Sequence, residues 1–320
     1  RDSAASGGEI VPWRKGPVTN EERFGGNLEG IRQKLPYLAD LGVTGIYLNP
    51  IMEAESNHKY DTTDYTRIDP HFGDKETFAK LVKEAHSLGI RIMVDAVFNH
   101  CGPKFAPWQD VLEKGQKSPY ADWFMVQTWP LLKKRADTRD GRFYSFAFAD
   151  WMPKLNTNND QVIDYFCQVC QGWIRDFDID GIRFDVGNEV SHRFLKKMRE
   201  HLKGCREDLY LLGEIWHDAS QWLMGDEYDS VMNYPFRDAI IAYVRHGDCN
   251  RLYSTLLSIL EHYPKPVLDV LMNSLSTHDI ERAITALAGE PISGGRDWQA
   301  HNNTLSPEKY ALGKKLFMLA

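Results

Sequence analysis

The sequence predicts an α/β fold in which parallel strands form a barrel, and three observations predict it. Helical and strand-like segments alternate along the 320 residues, the order that builds a parallel sheet covered by helices. Glycine separates an amphipathic helix from an apolar, β-branched run at the usual αβ junction. Four apolar runs end in a carboxylate, and in a parallel barrel every strand C-terminus opens on one face.

Taken in order, Asn27–Leu41 has helical periodicity and is followed by Gly42 and the strand Val43–Ile51. Lys75–Leu88 is a second amphipathic helix, closed by Gly89 and followed by the strand Ile90–Phe98. Gln161–Phe177 leads into the strand Gly181–Val186, and His192–Leu202 precedes Leu209–Ile215. Ser230–Tyr234 is a weaker strand, with helical sequence after it through about Glu261. Val267–Ser274 is the last of six expected strands, and Pro307–Ala320 is a final helix. The opening run is loop-like, with Gly7, Gly8, Pro12, Gly16 and Pro17. Residues 102–158 break the rhythm, are rich in aromatics and contain no clear long helix. They read as an excursion domain between a first barrel part, 1–101, and a second, 159–320.

The formal net charge of −7 and the lack of any Lys/Arg-rich run argue against nucleic acid as a partner. A neutral, hydroxyl-rich substrate suits this balance better. No apolar stretch is long enough to cross a bilayer, which argues against a membrane protein. Five cysteines are too few and odd in number for a disulfide framework. Cys167 and Cys170 form a C-x-x-C within a helical pattern, where the spacing places two small apolar groups on one face. No second pair completes a zinc site.

The four strand ends carry Asp95, Asp185, Glu214 and Asp279. Converging carboxylates are the machinery of glycoside hydrolysis, in which one acid attacks the anomeric carbon and another protonates the leaving oxygen. Arg183 and Asp185 share a strand face, so the guanidinium is expected to lower the carboxyl pKa and keep Asp185 ionised as a nucleophile. Glu214 ends an apolar strand beside Trp216, and apolar neighbours suit a proton donor.

These residues resemble the α-amylase family (glycoside hydrolase family 13). Asp95-Ala-Val-Phe-Asn99-His100, Gly181-Ile-Arg183-Phe-Asp185, Gly213-Glu214-Ile-Trp216 and His278-Asp279 match its four short blocks in family order, from about Phe24 to Ala320. The resemblance implies a TIM (β/α)8 barrel, with the first and last strands lying outside this segment. Such an open barrel would expose two strand edges, so the segment alone is expected to be unstable or poorly active. It also implies Asp185 as nucleophile, Glu214 as general acid/base, and Asp279 as a third carboxylate that distorts and holds the reacting sugar. Arg183 would orient Asp185, His100 and His278 would donate to sugar hydroxyls, and Tyr60 would stack beneath the ring. Asp95 and Asn99 would be mainly structural.

Met152-Pro-Lys-Leu-Asn156 and Asn188-Glu189 resemble the neopullulanase, cyclomaltodextrinase and maltogenic amylase subgroup, in which the Asn-Glu pair lines the acceptor side and favours sugar transfer. Gly187 stands where that group usually carries alanine. The implied reaction is retaining hydrolysis, with transglycosylation, of α-1,4-glucosidic bonds in cyclodextrins, pullulan or maltodextrins. An ordinary α-amylase, a maltodextrin glucosidase or a catalytically silent interaction barrel are the competing readings. No cofactor is implied beyond a calcium site outside this segment. The subgroup implies a homodimer of the full-length protein, and with the unpaired thiols it points to a cytoplasmic location.

Overall fold

The structure, a computed structural model, describes residues 10–14, 19, 22–131, 138–290, 294 and 305–320. They fall into two compact units. The first lies within Arg1–Pro12, Asn20–Glu214 and Asp226–Tyr228, and the second within Trp13–Thr19, Ile215–Gly225 and Asp229–Ala320.

The first unit opens with helix α1 (Leu28–Asp40), whose orphan amides are met by the Asn27 side chain accepting from Gly30 N–H at 2.8 Å. Gly42, at φ 85°, turns the chain out of the helix toward strand β1 (Gly45–Leu48). Strands β2 (Met52–Ala54) and β3 (Thr62–Ile68) then pair as an irregular antiparallel ribbon that the sequence reading did not foresee. Helix α2 (Lys75–Ser87) is capped by Asp74 and buries Phe78, Leu81, Val82 and Ala85, one face at helical spacing. It leads into β4 (Arg91–Ala96).

The excursion does contain a helix, α3 (Ala106–Lys114), with Pro107 in its first turn and Trp108 and Val111 buried. Its short apolar face, only two buried residues, gives a weak periodic signal. The segment then folds back on itself and on the end of β4 through isolated bridges, including His100 with Lys154 and Phe124 with Leu155. Helix α4 (Asp160–Phe177), capped by Asn159, precedes β5 (Gly181–Phe184), and α5 (His192–Cys205), capped by Ser191, precedes β6 (Tyr210–Gly213). Cys167 and Cys170 are both buried on α4, consistent with two small groups on its packed face.

Strands β1, β4, β5 and β6 are adjacent and parallel in that order, so their C-termini share one edge. Parallel strands covered by helices are buried on both faces, and every residue of β5 is buried. Phe98, Phe166 and Phe194 pack with Tyr65 and Phe184 into an aromatic core beneath that edge, with Phe98 and Phe166 centroids 4.2 Å apart. Among the described residues the parallel sheet does not close into a barrel, so the expected barrel stands as an open α/β sheet.

The second unit holds β7 (Ser230–Val231), α6 (Tyr234–His246), α7 (Cys249–His262), α8 (Lys265–Leu268), α9 (Ala283–Ala288) and α10 (Pro307–Leu319). The expected strand Val267–Ser274 is absent. Pro266 sits in the first turn of α8 and fixes helical φ there, Val270 is 45% exposed, and only Met272 bridges, to Met232. Among the described residues no helix is long and apolar enough to cross a membrane.

Candidate active site

Asp95 and Arg183 are register partners on neighbouring parallel strands, so their side chains emerge side by side on one face. Asp185 and Glu214 are the first residues beyond β5 and β6. Their amides continue the ladder, Asp185 to Ala96 O at 3.0 Å and Glu214 to Phe184 O at 3.1 Å, which fixes both backbones. Three carboxylates then gather on one buried guanidinium. Arg183 Nη1 donates to both Asp95 oxygens at 3.0 Å and to Asp185 Oδ1 at 2.7 Å. Nη2 lies 2.9 Å from Glu214 Oε2 as an ion contact without hydrogen-bond alignment.

Three acids against one cation leave a surplus of negative charge in a site where Asp95, Asp185 and Glu214 are all buried. Burial, and next the charge of Asp95, push the Asp185 carboxyl well above the usual range, while Arg183 pulls it down. The expectation that Arg183 lowers the Asp185 pKa and keeps it ionised is therefore corrected: desolvation and the neighbouring Asp95 charge outweigh the guanidinium. Glu214 is buried, and its Oε2 also meets Arg183 and accepts from the Val186 N–H, 2.9 Å away.

Val186 is a site residue that the sequence did not reveal. Its φ of 49° is costly for a β-branched side chain, and this left-handed turn accompanies the amide bond to Glu214. Tyr47 is another. Its hydroxyl donates to Asp95 Oδ2, to which Tyr60 also donates at 2.8 Å, and both phenols are pushed upward, first by burial. Tyr47 lies on β1, and only the register of the sheet brings it here.

His100 is fully buried and stacks on Phe146 with centroids 4.7 Å apart. Its Nε2 lies 3.0 Å from Tyr60 O and its Nδ1 3.3 Å from Asn99 Nδ2, so both ring nitrogens have protein partners. Burial holds its pKa down at about 3. Asn188 and Glu189 are exposed on the turn after β5. Lys154, from the Met152–Asn156 segment, donates to Glu189 Oε2 at 2.8 Å and to Asn99 Oδ1.

The structure thus brings Tyr60, His100, Arg183, Asp185 and Glu214 into one connected group. Trp216, His278 and Asp279 belong to the second unit. There, half-exposed Trp216 stacks on Tyr234, 3.8 Å between centroids and 5° from parallel. His278 Nε2 lies 3.2 Å from Asp279 Oδ2, and both side chains reach solvent. Among the described residues no group of three or more His, Cys, Asp or Glu side chains could hold a metal ion.

A parallel α/β sheet with three buried acids gathered on one guanidinium at its strand ends is the class of protein that the fold and the site define. The catalytic domain of α-amylase matches residues 2–297, and the chain belongs to the α-amylase family. It is 50% identical to a cyclomaltodextrinase of Geobacillus thermopakistaniensis over 281 residues, 87% of this chain and 47% of that protein. It is 47% identical to the intracellular maltogenic amylase of Bacillus subtilis, over 86% of this chain and 46% of the relative. The cyclic α-maltosyl-(1→6)-maltose hydrolase of Arthrobacter globiformis, in complex with maltose, superposes with a TM-score of 0.83 at 36% identity, covering 90% of this chain and 65% of that one. The chain spans about half the length of the curated relatives it matches.

Proposed function

We propose that the protein is a retaining α-glucan hydrolase that also transfers sugars, acting on α-1,4 bonds of cyclodextrins, pullulan or short maltodextrins. The observation that carries this reading is Arg183, which holds Asp185 and Glu214 at adjacent strand ends. Relatives named cyclomaltodextrinase, maltogenic amylase and neopullulanase support the substrate class.

Asp185 is the nucleophile and Glu214 the general acid/base. The Asp185 oxygen bonds to the anomeric carbon as the glycosidic C–O bond breaks, and Glu214 gives its proton to the leaving oxygen. Glu214 then takes a proton from water or from a second sugar hydroxyl, whose oxygen displaces Asp185. Burial lets Asp185 take a proton readily, and chemistry starts from the state in which Asp185 is charged and Glu214 carries the proton it donates. The hydrogen bond from Arg183 keeps the charge on Asp185 in that state. Asp279 holds the distorted sugar, with His278, Trp216, Asn188 and Glu189 as further sugar contacts. Tyr60 and His100 shape the sugar pocket. The active domain is a (β/α)8 barrel whose reaction requires no cofactor, and any calcium would bind outside this segment. The full-length protein is a cytoplasmic homodimer.

Hydrolysis of β-cyclodextrin, pullulan and soluble starch by the complete gene product tests this. Cyclodextrin or pullulan cleaved faster than starch, with activity lost in Asp185→Asn, is the expected result. Preference for starch moves the assignment to an ordinary α-amylase. No cleavage by a folded protein overturns the enzyme reading.

A further inference from the structure

Lys154 links two parts of the site that the reaction alone does not connect. The backbone around it is fixed against the end of β4: Leu155 N–H donates to Asn99 O at 3.0 Å and Cys101 N–H to Pro153 O at 3.2 Å. From this anchored position its ammonium reaches Asn99 Oδ1 on one side and Glu189 Oε2 on the other.

The hydrogen-bond directions along this chain are determined at both ends. An ammonium only donates, so the Asn99 atom facing it is the oxygen, and the Asn99 amide nitrogen must point to His100 Nδ1. That nitrogen donates, so Nδ1 accepts and the ring proton sits on Nε2. At the far end a carbonyl only accepts, so Nε2 must donate to Tyr60 O. The two ends independently demand one tautomer. Tyr60 in turn donates to Asp95, which accepts from the Arg183 that holds Asp185. A series of polar contacts therefore runs from an exposed carboxylate to the Tyr60 backbone carbonyl, and the side chain of the same residue bonds separately into the Asp95–Arg183–Asp185 group.

We propose that Lys154 is a positioning residue that fixes the Glu189 carboxylate on the acceptor side and, through Asn99, fixes the His100 proton on Nε2. The inference rests on the hydrolase–transferase reading above. Without the ammonium, Asn99 can turn its amide over and present its oxygen to His100, which moves the ring proton to Nδ1 and frees Nε2 from Tyr60. Glu189 at the same time loses the cation that holds it, so an incoming sugar hydroxyl meets a mobile carboxylate.

The test compares Lys154→Met, Lys154→Arg, Glu189→Gln and the Lys154→Met/Glu189→Gln double variant of the complete protein. It reads the ratio of transfer to hydrolysis products from maltotriose, with nitrogen NMR of the His100 ring as a second measurement. Lys154→Met is expected to lower the ratio about fivefold, the scale of a partly exposed ion pair. The double variant should go no lower, because one link has been cut twice. Lys154→Arg should restore most of the ratio. The His100 signal should show the Nε2–H form in the parent and lose it in Lys154→Met but not in Glu189→Gln. Multiplying single effects, an unchanged ratio or an unchanged tautomer each overturn the assignment. If Lys154→Met fails to fold, Lys154→Leu, which likewise lacks both the donor and the charge, gives the same two readings. A parent protein with no hydrolysis at all removes the underlying function instead, and the NMR comparison still decides the role of Lys154.

Discussion

Arg183 Nη1 lies 2.7 Å from Asp185 Oδ1, yet Asp185 is held more easily protonated than an ordinary carboxyl. One guanidinium serves Asp95, Asp185 and Glu214 together, and all three are out of water. The charge that makes Asp185 useful is therefore costly to keep in the folded state.

Asp185→Asn is expected to abolish glucan cleavage and to raise stability at neutral pH by about 1–2 kcal/mol. The sign follows from linkage. The folded carboxyl holds its proton to higher pH than the unfolded one at 3.8, so rising pH above about 4 removes stability from the parent. The asparagine variant lacks this slope. Melting curves of parent and variant should converge near pH 4 and separate toward neutrality. A variant that melts lower than the parent at pH 7 would show that the Arg183 pair outweighs desolvation.

Gly187 is a second point of close approach. A Cβ there would meet the Tyr228 hydroxyl at 2.8 Å and the Glu214 backbone at 3.1 and 3.2 Å. The Tyr228 hydroxyl donates to Gly187 O at 3.1 Å, so the glycine makes room for a buried phenol beside Glu214. This gives a physical reason for glycine where alanine is usual. Gly187→Ala is expected to cost about 1–3 kcal/mol and to slow turnover by shifting the Glu214 strand end. Adding Tyr228→Phe removes the hydroxyl that clashes, so the double variant should recover part of the loss even though Tyr228→Phe alone costs about 1 kcal/mol. Strictly additive losses in thermal melts would refute the contact.

How much of this was legible follows from what each feature depends on. Helix α4 and the acids at the ends of β4, β5 and β6 were readable because long periodicity and an apolar run ending in a carboxylate are local signals. The ribbon of β2 and β3 was not. Its strands are short and mixed in polarity, and their register shifts destroy alternation. Val186 in a left-handed turn contradicts its own β-branched preference, so only the surrounding structure imposes it. Tyr47 reaches Asp95 through sheet register, and the raised Asp185 carboxyl depends on burial that no spacing encodes. Conversely, the apolar run Val267–Ser274 has the composition of a strand, but Pro266 just before it fixes helical φ and starts α8.

His100 gives a pH dependence of opposite sign to that of Asp185. The folded ring is held down at about 3, whereas in the unfolded chain it titrates near its ordinary 6.5. Between those values the unfolded chain binds a proton that the folded one refuses, so stability falls as pH drops below about 6.5. Each pH unit inside the window is worth up to about 1.4 kcal/mol. His100→Gln removes that titration, so its melting temperature should fall less steeply than the parent's between about pH 6.5 and about pH 4. Asp185→Asn changes the slope the other way over the same range, because it deletes a group that stabilises the fold as pH falls. Three parallel curves would mean that neither group titrates differently on folding. A stability gap between parent and His100→Gln that shifts in the variant's favour as pH falls from about 6.5 to about 4 is the outcome that the buried, neutral ring requires.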